Sequence, residues 1–224
     1  MKRLSYEEVL KKIRNMEDLS GYDLSGYKFE NQNMSLMKFR GTNFAGANLY
    51  GVNFLGADLT GANFEGAYVA VVNFLGADLS EANLNKADLG NTSFKGANLS
   101  RASLEEADLA AGDLSLANFS GANLRGARIE AVDGQLTNFE GADLEGANLR
   151  GSSFQLANFR RANLRQANML QVDLTGALLE EADLTGADLI EAYLRGTNFT
   201  GARVEGVRFR GAIFEKTIGL DLER

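Results

Sequence analysis

Ala57-Asp58-Leu59-Thr60-Gly61 and Ala122-Asn123-Leu124-Arg125-Gly126 are two copies of one five-residue pattern, and its recurrence decides the fold. With the large apolar residue called i, the phase runs from Leu19 through Leu24, Phe29 and Met34 to Val204, Phe209 and Phe214 without a slip. Forty consecutive positions carry Leu, Phe, Met, Val or Ile, Gly134 excepted, and all 14 Phe of the chain lie in this phase. Position i−2 is small, usually Ala as at Ala47, Ala62 and Ala77. Position i−1 holds 12 of the 13 Asp and most Asn, and i+2 holds 21 of the 25 Gly.

A period of five fits neither the 3.6 residues of a helix nor the alternation of a strand, so neither could keep i on one face. Asp, Asn and Gly are turn formers, and their placement makes the chain turn within every block. A large and a small inward residue per block describe one side of a narrow coil that closes on itself. No block can bury its own Leu or Phe, so neighbouring coils must share a core, as in other solenoids. The chain has no Pro, which leaves every backbone N–H free to bond between coils.

The two quoted blocks resemble the motif of the pentapeptide repeat family, (Ala/Val)-(Asp/Asn)-(Leu/Phe)-(Ser/Thr/Arg)-Gly, and the likeness extends over residues 17–216. The resemblance implies an all-β solenoid, a right-handed quadrilateral parallel β-helix with four blocks per coil. Forty blocks then make about ten coils, a rod of about 48 Å at ~4.8 Å per coil. Residues 20 apart should stack, and opposite charges recur at that spacing: Glu81 with Arg101, Lys86 with Glu106, Arg161 with Glu181, and the columns Glu140-Arg160-Glu180 and Arg125-Glu145-Arg165.

The chain divides into residues 1–16, a capping helix; 17–216, the repeat; and 217–224, a tail. Ser5-Tyr6-Glu7-Glu8 reads as a capping box, with Tyr6, Val9, Leu10 and Ile13 at helical spacing and Lys11, Lys12 and Arg14 near the end, predicting a helix over 6–15. At the other end only Ile218, Leu220 and Leu222 remain to cover the last coil. That thin cover leaves open a homodimer through the C-terminal coil. Gly134 removes an inward side chain and predicts a local bulge or cavity, either filled by Phe154 or Leu136 or used as a binding notch.

Composition excludes much chemistry. Without His or Cys the chain has no imidazole base, thiolate, zinc-finger site or disulfide. The carboxylate pairs Glu105-Glu106 and Glu180-Glu181 and the Asp113/Asp133 stack follow from the repeat and its corners, so no enzyme activity, cofactor or metal is expected. A net charge of −7 disfavours direct nucleic acid or anionic membrane binding. Glu7 and Glu8 stand where a signal peptide needs apolar residues, and the expectation is a cytoplasmic protein.

Function should therefore lie in the departures from the repeat. Assigning sides by position modulo 20 puts Leu36, Leu55, Leu75, Leu116, Leu136, Leu156, Tyr193 and Ile213 on one side, facing outward. Tyr50, Tyr68, Val71, Leu170 and Ile190 lie on the preceding side. This apolar stripe is the expected partner surface of a rigid, non-enzymatic, regulatory protein-binding rod, unless its leucines pack into the corners. The alternative rests on residues 50–120, net −6, where Asp58, Asp78, Asp88, Glu105, Glu106 and Asp108 form an acidic surface. Gyrase-protecting members of the family are thought to mimic duplex DNA, so the resemblance implies a DNA-mimic role toward DNA gyrase or another topoisomerase as a second reading. A purely structural spacer is the third.

Overall fold

The computed structural model describes residues 1–220 and contains the expected stack of coils. From Asp23↔Asn43 to Asn198↔Ile218, every i−1 residue forms a parallel bridge with the residue twenty further on. Strand β1 (Lys2–Arg3) pairs in parallel with β2 (Tyr22–Asp23), extending the same register to the N-terminus. The fold is a right-handed quadrilateral β-helix.

The block Leu59–Asn63 shows why five residues suffice for one side. Leu59 and Gly61 donate their N–H groups to Asp78 O and Ser80 O in the next coil, at 2.7 and 2.9 Å. Asn63 N donates to Thr42 O in the preceding coil at 2.9 Å, and Ala62 N closes the corner onto Leu59 O at 2.9 Å. The fifth donor, Thr60 N, reaches Asp58 Oδ1 at 3.2 Å. All five amide donors of the block have acceptors, which is the requirement for folding a chain this narrow. The i−1 preference for Asp and Asn thus has a local cause: its Oδ1 accepts the one N–H that finds no backbone carbonyl in this block or its neighbouring coils. Asn does more, since Asn63 and Asn83 each donate Nδ2 to the residue one coil below, at 3.0 Å.

Position i+2 is left-handed throughout, with φ +61° at Gly56 and +63° at Gly61. Glycine adopts this without a Cβ penalty. Inside the rod the i residues are buried, and phenylalanines stack at the coil spacing: Phe54 on Phe74 at 5.4 Å, Phe74 on Phe94 at 5.0 Å, and Phe139 on Phe159 at 4.9 Å.

Helix α1 (Tyr6–Arg14) closes the N-terminal end. Ser5 and Glu8 form the reciprocal capping box, and Asn15 is the C-cap. Leu4, Val9 and Ile13 are buried over the first coil, and the Tyr27 hydroxyl donates to Leu4 O at 2.6 Å. The C-terminal coil is more open, with Val204, Phe209 and Phe214 half-buried. Ile218 does not cover it. Ile218 occupies an outward i−1 position, bridges Asn198 and remains exposed, whereas Leu220 packs partly against the core. Leu222 lies outside the described residues.

At Gly134 no bulge forms. Gly134 N donates to Ser153 O at 2.7 Å and Leu136 N to Gln155 O at 3.0 Å, so the ladder continues unbroken. The missing side chain is replaced by the Phe154 ring, whose Cε1 lies 2.2 Å from where a Cβ on Gly134 would stand. Thr137 Oγ1 donates to both Leu114 O and Gly134 O at 2.8 Å. The site is a complementary glycine–phenylalanine pair, not a notch.

Phe154→Ala should cost about 3–5 kcal/mol and Gly134→Leu about 1–3 kcal/mol of stability. Combining Gly134→Leu with Phe154→Leu recreates the leucine column seen at Leu84, Leu104 and Leu124, so in the cycle of wild type, Gly134→Leu, Phe154→Leu and the double variant, the double should be more stable than its two component changes summed. Denaturant unfolding of the four proteins checks this, and simple additivity would contradict the pairing.

Candidate interaction surfaces

One coil, residues 42–61, defines the geometry: its sides are centred on Phe44, Leu49, Phe54 and Leu59, and its corners are Ala45-Gly46, Tyr50-Gly51, Leu55-Gly56 and Thr60-Gly61. These first to fourth corners repeat every twenty residues, and their composition differs sharply. The first and fourth, which flank the Phe44 side, carry 16 charged side chains, against nine on the second and third. The second and third corners flank the Phe54 side and carry Tyr50, Val71, Leu36, Leu55, Leu75, Leu116, Leu136 and Leu156, all exposed. The rod is therefore amphipathic in cross-section.

The third corner is the most apolar. Leu116, Leu136 and Leu156 stand in successive coils, 55%, 48% and 54% exposed, so they are not packed away. Each holds a left-handed φ of +58° to +61°, a conformation costly for a side chain with a Cβ. Leu36 occupies the same column lower down, and Leu55 and Leu75 the adjoining one. Between Ser35 and Gly176 this corner carries a single charge, Lys95. Tyr193 and Ile213 are also exposed but sit on the face itself, in the i−1 column. On the second corner Tyr50 stacks on Tyr68 of the adjoining side at 6.0 Å, while Leu170 and Ile190 are only partly exposed.

The acidic residues divide into neutralised and free ones. Asp58 is paired with Arg40 at 3.1 Å, Glu106 with Lys86 at 3.7 Å and Asp108 with Arg128 at 2.8 Å. Asp78 and Asp88 accept turn N–H bonds from Ser80 and Gly90, and Glu105 has no cation within reach among the described residues. The predicted acidic set is thus spread over four columns, with half of it countered by bases.

Stacked ion pairs follow the twenty-residue register at Arg101–Glu81, Arg125–Glu145 and Arg160–Glu180. Three expected pairs do not form: Glu140–Arg160 is one, since Arg160 bonds Glu180 and Glu140 bonds Arg161, and the other two are replaced. Arg161 bonds Glu140 rather than Glu181, and Arg165 bonds Asp183 at 3.2 Å rather than Glu145. Diagonal partners 18 residues apart, also seen for Arg40–Asp58 and Arg125–Asp143, arise because i+1 and the i−1 of the next coil are lateral neighbours. These exposed pairs are screened by solvent and serve register more than stability.

Carboxylate titration follows these contacts. Hydrogen bonds from Ser25, then the Arg3 guanidinium, hold Asp23 down to about 2. Arg128 and Asn148 lower Glu130, and Arg125 and Asn163 lower Glu145. For Asp183 burial is the largest single influence and opposes ionisation, but Thr185 and Arg165 together outweigh it and the group stays below the usual range.

This geometry has known counterparts. The description pentapeptide repeats fits the chain in 8 copies, over residues 37–66, 73–110, 97–133, 113–151, 142–180 and 177–215. The chain belongs to the pentapeptide repeat family. It is similar to HetL, a pentapeptide repeat protein involved in heterocyst differentiation regulation from the cyanobacterium Nostoc sp. strain PCC 7120, with 29% identity, 93% of this chain and 94% of that one covered, and a TM-score of 0.63. It also resembles QnrB1, a plasmid-mediated fluoroquinolone resistance protein, at 22% identity, covering 88% and 89% of the two chains with a TM-score of 0.56, a likeness of fold. No curated protein matches the sequence. Proteins of this family are generally non-catalytic structural and interaction proteins.

Because the folded pKa of Asp23 is depressed below the ordinary ~3.9, its contribution is present above about pH 4 and is lost as pH falls toward 2. Stability should fall with acidification through that window, and Asp23→Asn, which places there the residue found at Asn43 and Asn63, should flatten the slope. Urea unfolding between pH 7 and pH 2.5 measures it.

Proposed function

We propose that the protein is a rigid binding rod that regulates another protein by engaging it through the apolar third corner. The observation that supports this most is the run Leu116, Leu136 and Leu156. Side chains there occupy left-handed positions that glycine fills at Gly96 and Gly176, and they make no contribution to the core. Large apolar side chains kept exposed at such positions in three successive coils point to a contact surface. The regulatory part of the reading draws on the similarity to HetL, whose own role is in differentiation control.

A second reading, a DNA mimic that binds DNA gyrase or another topoisomerase, draws on the net −6 of residues 50–120. Arg40, Lys86, Arg101 and Arg128 counter Asp58, Glu106, Glu81 and Asp108, which breaks the continuous negative field a mimic of duplex DNA needs. The apolar corner therefore leads.

Affinity capture with Leu136→Glu/Leu156→Glu separates the readings from capture with Asp58→Asn/Asp78→Asn/Glu105→Gln/Glu106→Gln. Glu already occupies the left-handed position at Glu81 and Glu181, so the leucine variant should keep its fold. The corner reading predicts loss of about tenfold or more in partner retention for the leucine variant only. Inhibition or protection of gyrase supercoiling by the wild type, abolished in the acidic variant, would reverse the order.

A further inference from the structure

The protein-binding reading leaves the partner's chemistry open, and the third corner restricts it. Along the rod's flank there is no strand edge to extend, because Leu116 N and Leu136 N are already bonded to Gln135 O and Gln155 O of the next coil, both at 3.0 Å. Recognition must use side chains. The leucines recur once per coil, at ~4.8 Å, so three of them span about 10 Å. The i, i+4, i+7 row of an α-helix spans about 10.5 Å, a mismatch of about 1 Å. Same-face residues of an extended strand recur at about 6.7 Å, and three of them overshoot by about 4 Å. The corner is commensurate with a helix and not with a strand.

Charge sets the rest. On one flank of the leucine column stand Asp113 and Asp133, stacked by their parallel bridge. Each gives Oδ1 to its own turn, accepting from Ser115 N at 2.9 Å and Gln135 N at 3.2 Å, and neither has a cationic partner among the described residues. On the other flank Asn118, Asn138 and Asn158 form a neutral hydrogen-bonded ladder at 3.0–3.2 Å. No Lys or Arg occupies this corner between Lys95 and Arg195. A second copy laid antiparallel on the same edge would set these aspartates against themselves, and an anionic membrane would be repelled.

We infer that the third corner from Ser115 to Gly176 docks an amphipathic α-helix of another protein, with its apolar row on Leu116, Leu136 and Leu156 and a Lys/Arg flank on Asp113 and Asp133. The inference rests on the protein-binding reading and adds the occupant. Three half-exposed leucines offer a small contact, so an isolated helix binds weakly, at micromolar or higher concentration.

The probes are synthetic Ala-rich helical peptides with Leu at i, i+4 and i+7, flanked on one side by Lys or by Glu, and an alternating Leu/Lys extended peptide. Binding is followed by fluorescence anisotropy against the full chain. The Leu136→Gln/Leu156→Gln variant uses a residue the repeat tolerates at left-handed Gln166 and Gln171. Asp113→Asn/Asp133→Asn uses the residue at Asn53 and Asn73. Circular dichroism and thermal melting establish that both fold. The expected result is binding of the Lys-flanked helix only, weakened about tenfold or more by the Gln variant. The Asn variant should weaken it several-fold and flatten its salt dependence.

The inference is overturned by no binding at millimolar peptide, by equal binding of the Glu-flanked or extended peptide, or by retention that ignores the leucine change. A dimer dissolved by the Gln variant in sedimentation would identify a second copy as the occupant. Capture of phosphatidylglycerol vesicles lost in that variant would identify lipid; both overturn it. If partner capture depends on the leucines while every helix probe fails, the helix falls and the protein-binding reading stands. If capture ignores them as well, both fall.

Discussion

The twenty-residue parallel register between coils is the constraint on which the rest of this protein depends. In a block with Asp or Asn at i−1, three of five amide donors bond to an adjacent coil, one closes the corner and one is taken by that side chain. The bonds between coils are thereby aligned with the rod axis. Along the sides it is the side chains that vary from coil to coil, so any specificity there has to be written in corner and i−1 residues. The same register fixes which side chains meet: phenylalanine on phenylalanine in the core, and base beside acid on the surface.

The regularity tolerates compensated departures. Gly134 and Phe154 lie one coil apart in the same column, and the ring of one fills the space of the other without disturbing the ladder. Left-handed corners accept Arg, Glu and Lys where an ion pair to the next coil offsets the conformational cost, as at Arg101 with Glu81 and Lys86 with Glu106. Leu116, Leu136 and Leu156 have no such compensation within the chain beyond one another. Val71, Ala111 and Ala131 on the second corner also lack an ion pair, and what singles out the third corner is three large exposed leucines in successive coils.

The fold was legible because its signal is repeated forty times in one phase. A five-residue period excludes helix and alternating strand, and the capping box at Ser5 and Glu8 marks the helix end from local chemistry alone. The apolar stripe was legible from positions modulo 20. Other features depend on lateral rather than vertical neighbours and escaped a column-by-column reading. Arg161 turned to Glu140, Arg165 to Asp183, and Arg40 neutralised Asp58 because long side chains reach the adjacent column. Ile218 looked like cover for the last coil, but the register continues to residue 218 and turns it outward. The opposition of two charged corners to two apolar ones was present in the sequence all along. It becomes visible only when corners are counted in pairs around the coil.

Residue-resolved amide hydrogen exchange tests this account most directly. Inner-coil amides at i, i+2 and i−1 should be strongly protected. The i+1 amides should divide by the identity of i−1: slow at Leu75, Gln135 and Thr175, which bond to Asn73, Asp133 and Asp173, and fast at Ala70, Glu180 and Arg195, which follow Tyr68, Leu178 and Tyr193. Uniform protection across both groups, or rapid exchange at Gly134 and Leu136, would contradict a backbone whose bonding is completed between coils and by the i−1 side chain.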